Sequence, residues 1–165
     1  MSQTQGGRPR KPLIFDLSQV DLTQSIWDKQ RVMQFLPQRR EFELVDGIIH
    51  LDEVGRNAVA YKDLAADDWW TVGHIPGRPL FPGVLMIEAA AQTCACLTKI
   101  VFPNIGFIGF AGVDEVKFRG QVVPPGRFYM LVHGFDMRPR RVIGRCQGLY
   151  NDEVVFEAMV TGMPI

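Results

Sequence analysis

Two side chains in this chain have the type and setting for acid–base chemistry: His74 and Glu88, fourteen positions apart. An imidazole titrates near neutrality, so His74 can take or give a proton under ordinary conditions. It sits in Gly73-His74-Ile75-Pro76-Gly77-Arg78-Pro79-Leu80-Phe81-Pro82-Gly83, a run with three Gly and three Pro in eleven residues. Pro fixes φ and has no N–H, and Gly opens turns closed to other residues, so this run is loop. From Val84 the chain is apolar on every side except at Glu88 and Gln92. Those two are one helical turn apart and share a face, so a carboxyl and an amide point the same way from an apolar helix. A carboxylate buried alone is costly, and such a group is paired, protonated or at work. Gly83 falls at the helix start, where unpaired N–H groups and the helix dipole favour negative charge.

The elements that must hold these residues can be read in order. The central helix is expected from Pro82 or Gly83 to Val101, about 28 Å long at 1.5 Å per residue, and Phe102-Pro103-Asn104 ends it. Ahead of it, Asp21 with Gln24 resembles a capping box, and Leu22, Ile26, Met33 and Leu36 recur at helical spacing, which predicts a helix up to Phe35. Strands are expected at Phe42–Leu51, with a turn signal at Asp46-Gly47, and at Asn57–Lys62. Four more read as Gly106–Phe118, Arg127–Asp136, Val142–Tyr150 and Val154–Gly162. One of the adjacent pair Trp69-Trp70 is a candidate cover for the site entrance. A long apolar helix among six antiparallel strands hides its faces only if the sheet wraps it, an α+β architecture.

Composition narrows the class. A chain of 165 residues, 47% apolar and 22% charged, can bury one core. Residues 1–20 are expected to be a disordered N-terminal tail, opening on the polar, basic MSQTQGGRPRKP, and residues 21–165 a single domain. Eighteen basic residues balance eighteen acidic ones with no basic stripe, which argues against nucleic-acid binding. No apolar run follows the basic N-terminal segment as in a signal peptide, and Val84–Leu97 is short for a membrane span. Cys94, Cys96 and Cys146 form no even framework and read as small core residues in a reducing cytoplasm. His50 and His133 lie in strand patterns and read as structural.

The residues Gly73-His74-Ile75-Pro76-Gly77, Pro79, Pro82-Gly83-Val84-Leu85, Glu88-Ala89 and Gln92 resemble the 3-hydroxyacyl-[acyl-carrier-protein] dehydratases of the FabZ/FabA type, and are closer to the FabZ type. The likeness runs from about Asp28 to Met163, through Phe35-Leu36-Pro37, Leu44-Val45-Asp46-Gly47, Phe110-Ala111-Gly112-Val113-Asp114, Val116-Lys117-Phe118-Arg119 and Val122-Val123-Pro124. It implies the hotdog fold and the dehydration of 3-hydroxyacyl thioesters to trans-2-enoyl thioesters in fatty acid, polyketide or related lipid synthesis. His74 would be the base and Glu88 the acid, a carboxyl on an apolar helix being suited to that role. The Gly83 N–H would steady the thioester oxygen, and Gln92 would orient the carboxyl or a water. No metal or cofactor is required, the substrate being carried on phosphopantetheine.

The same likeness implies acyl carrier protein or coenzyme A as carrier, and a homodimer, or a trimer of dimers, with His74 of one chain facing Glu88 of the other. Carrier proteins of this family are acidic, which makes Arg119, Arg138, Arg140 and Arg141 candidates for docking. The chain departs from the family pattern at Gln38, where His commonly follows Leu-Pro, and at Ile75, where Phe is usual. Glu rather than Asp at position 88 favours dehydration without isomerisation. The rival readings are a hotdog thioesterase, which the spacing of His74 and Glu88 disfavours, and a non-catalytic acyl-binding module, which would usually have lost the acid or the base.

Overall fold

A helix apolar on nearly all sides has to be surrounded. The computed structural model, which describes residues 10–165, surrounds it with a sheet. In chain order the elements are α1 (Lys29–Phe35), β1 (Gly47–Asp52), β2 (Asn57–Leu64), α2 (Gly83–Val101), β3 (Ile108–Phe118), β4 (Gly126–Arg138), β5 (Arg141–Tyr150) and β6 (Glu153–Pro164). The strands form one sheet in the order β1-β2-β4-β5-β6-β3, and every pairing is antiparallel. Register shifts interrupt four of the ladders, two of them between β3 and β6, and such bulges bend a sheet. The bent sheet touches α2 from β2, β3, β4, β5 and β6. This is the wrapped-helix hotdog arrangement that the resemblance implied.

Inside the wrap α2 buries Leu85, Met86, Ala89, Ala90, Cys94, Cys96 and Leu97. Its buried hydroxyls are satisfied within the helix, Thr93 donating to the Ala89 carbonyl (2.9 Å) and Thr98 to that of Cys94 (2.7 Å). A Cβ on Gly144 would come 2.5 Å from Cys94 Sγ, so the helix meets β5 where the strand has no side chain. By length and mean hydropathy (1.5) α2 resembles a membrane span, but 56% of it is buried inside the sheet as core.

The helix and the last four strands lie within two residues of their expected ends. The early chain differs more. The helix expected from Asp21 begins at Lys29, capped by Asp28, whose carboxylate accepts the Arg31 N–H at 2.8 Å. Asp21 instead closes a local turn onto Thr23, because Ile26 and Trp27 are drawn into backbone pairing with Ile48. The strand expected from Phe42 starts at Gly47, after a 3-10 turn at Arg40–Phe42. Asp46 makes no hairpin; its carboxylate is held by Lys62 (3.0 Å) and by the Asp63 N–H (2.9 Å).

The disordered tail expected over residues 1–20 is corrected from residue 10 onward; residues 1–9 lie outside the described residues. Strands β2 and β4 are apolar without alternation at Ala58-Val59-Ala60 and Met130-Leu131-Val132, the mark of strands covered on both faces. Ala58, Ala60, Met130 and Val132 face the helix, while Val59, Leu131, Ile49 and Leu149 form a second cluster on the other face. Ile14, Phe15, Leu17, Val20 and Leu22 pack over that second cluster. Buried Gln147 anchors this strap, accepting the Ile14 N–H (2.9 Å) and donating to the Pro12 carbonyl (3.1 Å).

Candidate active site

His74 stands in the loop between β2 and α2, and the Gly/Pro spacing explains how the loop holds it. Ile75 and Arg78 exchange backbone hydrogen bonds (3.2 and 2.8 Å) around Pro76-Gly77, and Gly77 takes the φ of +74° that this turn needs. Leu80 N–H donates to the His74 carbonyl (2.9 Å), and the His74 ring returns a bond from Nδ1 to the Leu80 carbonyl (2.8 Å). A carbonyl only accepts, so Nδ1 carries the hydrogen and Nε2 keeps its lone pair. Below the loop, buried Trp70 packs on Phe81 (5.4 Å between ring centres) and Phe81 on Phe128 (5.6 Å). Of the expected Trp pair, Trp70 is core and Trp69 is 54% exposed.

Glu88 is half-buried on α2, where it lines a cavity of about 170 Å³ running beneath β3 along Ala91, Ala95 and Thr98. It is the one carboxylate in that lining. Gln92, 1% exposed, donates from Nε2 to Glu88 Oε1 (2.9 Å) and to the Phe42 carbonyl (2.7 Å), and accepts the Leu44 N–H at Oε1 (3.2 Å). Its amide is thus pinned from three sides and holds the carboxyl in one orientation. Gln38 Nε2 approaches the same Glu88 oxygen at 3.4 Å. Gln38 Oε1 alone, among the buried side-chain nitrogen and oxygen atoms of the described residues, meets no partner. A buried acceptor left unmade costs about 1–3 kcal/mol.

Gly83 opens α2, with Pro82 as its extended N-cap, and the first N–H groups of a helix have no carbonyl four residues back. Glycine is required there for a second reason, since a Cβ would lie 2.6 Å from the Phe118 ring. Within one chain Glu88, Gln92 and Gln38 meet at the cavity. His74 is not in the lining, and its residue is exposed to solvent. Among the described residues no three His, Cys, Asp or Glu side chains gather as metal ligands.

The four arginines fall in two places, Arg119 beside β6 and the other three on the β4–β5 hairpin. Arg119 pairs with Glu157, which also takes Lys11 from the strap. Arg138 (3.0 Å) and Arg141 (3.3 Å) share Asp136 at the β4–β5 hairpin, and their hydrogen bonds hold its carboxyl below the usual carboxylate range. Arg140 makes no ion pair among the described residues, so the hairpin carries an excess of positive charge. The three cysteines are buried; Cys94 and Cys146 place their sulfurs 3.6 Å apart, and burial pushes the Cys96 thiol up to about 12. Gln38 stood out in the sequence as a departure from the family's usual His after Leu36-Pro37; its orientation depends on α2 and could not be read there.

With this geometry in hand, the chain can be set beside known proteins. A family model described as the FabA-like domain matches residues 36–159. The 3-hydroxyacyl-[acyl-carrier-protein] dehydratase FabZ of Bacillus subtilis is 37% identical over 137 residues, 81% of this chain and 95% of the relative. That of Lawsonia intracellularis is 35% identical over 136 residues, 80% of this chain and 88% of the relative. Among solved structures, the dehydratase heterocomplex ApeI:P of Xenorhabdus doucetiae superposes with a TM-score of 0.67 at 11% identity, covering 81% of this chain and 90% of that one. A sigma28-regulated virulence protein of Campylobacter jejuni gives 0.58 at 14% identity, covering 83% and 88%. At such identities these two structures speak for the fold alone.

Proposed function

Because the chain belongs to the FabA-like family, we propose that it removes water from 3-hydroxyacyl thioesters on acyl carrier protein, with His74 as base and Glu88 as acid. The protein is a 3-hydroxyacyl-[acyl-carrier-protein] dehydratase, a lyase of fatty acid synthesis, and its product is the trans-2-enoyl thioester.

The observation that carries the assignment of roles is the pair of fixed orientations. The Leu80 carbonyl ties His74 Nδ1 and leaves Nε2 as the proton acceptor. Gln92 ties Glu88 Oε1 and leaves Oε2 for the substrate. His74 Nε2 takes the proton from C2, and the electron pair of that bond becomes the second bond between C2 and C3. The C3–O bond breaks with its pair on oxygen, which takes a proton from Glu88 Oε2 and leaves as water. Charge that builds on the thioester oxygen meets the Gly83 N–H at the start of α2. The apolar walls along Ala91 and Ala95 receive the acyl chain. These steps use no metal or organic cofactor.

His74 and Glu88 act together if two copies pair through the open β3 edge, where Phe110 and Phe118 are each 53% exposed. The working form is then a homodimer in the cytoplasm. The test of the reaction is to supply 3-hydroxyacyl pantetheine thioesters and follow both products. Enoyl absorbance with no free thiol is expected. Thiol release without enoyl would make the protein a thioesterase and overturn the reading.

A further inference from the structure

We propose that Val142 is a specificity-determining residue, a partition that ends the acyl site against a second cavity and so sets the longest acyl chain the enzyme accepts. The inference rests on the dehydration reading above and adds a length limit to it.

Two cavities meet at three side chains. Cys94, Thr98 and Val142 line the cavity that Glu88 lines, and the same three line a second one of about 10 Å³. Leu97, Val132, Met137 and Ile143 enclose that second cavity beside Gly134 and Gly144, and no charged side chain enters its lining. Thr98 follows Glu88 by ten residues on α2, so the meeting place lies about 15 Å from the acid along the helix axis. The small side chains of Ala91 and Ala95 line the stretch between. Two of the three shared residues belong to the helix and are held there. Thr98 donates its hydroxyl to the Cys94 carbonyl (2.7 Å), and the Cys94 sulfur is seated against Gly144. Val142 alone comes from the sheet.

The strand register makes Val142 the divider. Met137 of β4 pairs with Val142 of β5, and Val142 pairs with Gly162 of β6. Gly162 lines the first cavity and Met137 the second, so Val142 stands between the two in one row across the sheet. A Cβ on Gly162 would lie 3.2 Å from Val142 Cγ2; with none there, the first cavity reaches as far as Val142. On the other side a Cβ on Gly134 would strike the Met137 sulfur, so the thioether lies over that glycine. A β-branched valine is stiff at χ1, whereas an unbranched thioether adapts readily to a new neighbour. The stiff side chain is therefore the wall, and the soft one lies behind it. An alkyl end that passed Val142 would meet apolar surroundings and gain from each methylene it buried.

The test is a chain-length profile, kcat/KM for 3-hydroxyacyl pantetheine thioesters of increasing length. Wild type should fall off sharply at one length. In Val142→Ala the ratio of kcat/KM for that first rejected length to kcat/KM for the 3-hydroxybutyryl substrate should rise about tenfold, the scale of a methylene or two newly buried. Val142→Thr keeps the shape of the wall while burying a hydroxyl, so it should lose stability yet keep the wild-type ratio. If circular dichroism shows the Ala variant unfolded, Val142→Cys, which removes one branch of the wall, makes the same comparison. An unchanged ratio in the smaller variant would mean that long chains leave past half-exposed Phe107, and would overturn the proposal. A Thr variant that shifts like the Ala variant would overturn it too, by tracing the shift to a loosened core, as would a wild type that takes every length alike. Failure of the dehydration reading looks different, since the wild-type protein would then form no enoyl product from any 3-hydroxyacyl thioester.

Discussion

At the scale of single residues the site is a matter of which atom is left over. His74 gives Nδ1 to the Leu80 carbonyl and keeps Nε2, and Glu88 gives Oε1 to Gln92 and keeps Oε2. His74→Ala and Glu88→Gln should each lower kcat at least about a hundredfold, the scale of a positioned acid or base, with circular dichroism unchanged. Turnover near wild type in either variant would remove that residue from the mechanism. That His74 stands in a loop and that Glu88 and Gln92 share one face of a helix was legible, because a Gly/Pro loop and an apolar helix are local properties of the chain. The tie from His74 to Leu80 and the empty acceptor of Gln38 were not legible. Each depends on where a ring or an amide turns after the loop and helix have packed, and spacing does not carry that.

At the scale of elements, the hairpin between β4 and β5 is the place to look for carrier recognition. Arg138 and Arg141 share Asp136 there, and Arg140 makes no ion pair among the described residues. Exposed ion pairs are worth little in stability, so reversing these charges should leave the fold intact. Changing Arg138, Arg140 and Arg141 to Glu should raise KM for acyl thioesters on carrier protein several-fold, steeply so at low salt, and leave KM for pantetheine thioesters unchanged. A matched rise for both substrates would show that the hairpin acts on the site and not on the carrier. Helix α2 and the last four strands were readable because periodicity and Pro/Gly boundaries agree along them. The start of α1 was not. Asp21 and Asp28 are both sound caps by local rules, and the choice between them was made by Trp27 pairing with Ile48. The strap over the second face was foretold by the unalternated runs in β2 and β4, but the polar first dozen residues masked it.

At the scale of the whole molecule, His74, the proposed base, lies outside the cavity that Glu88, the proposed acid, lines, and so is half of an arrangement. If two copies complete it, chains with His74→Ala refolded together with chains with Glu88→Ala should regain activity. About half of randomly paired dimers are mixed, and each has one intact site of two, so recovery should reach about a quarter of wild type. No recovery would place base and acid in the same chain. The strap has a consequence of another kind. Ile49, Val59, Leu131 and Leu149 lie under Ile14, Phe15, Leu17, Val20 and Leu22, on the face turned away from α2. Removing residues 1–22 would bare these aliphatic side chains as one contiguous greasy surface, the kind that makes proteins stick to one another. The shortened protein should scatter light and sediment as a polydisperse precipitate at concentrations where the full chain stays clear. Any fraction that stays dispersed should keep its turnover per molecule. The N-terminal segment would thus act as a built-in solubiliser, setting how concentrated the enzyme can become before it leaves solution.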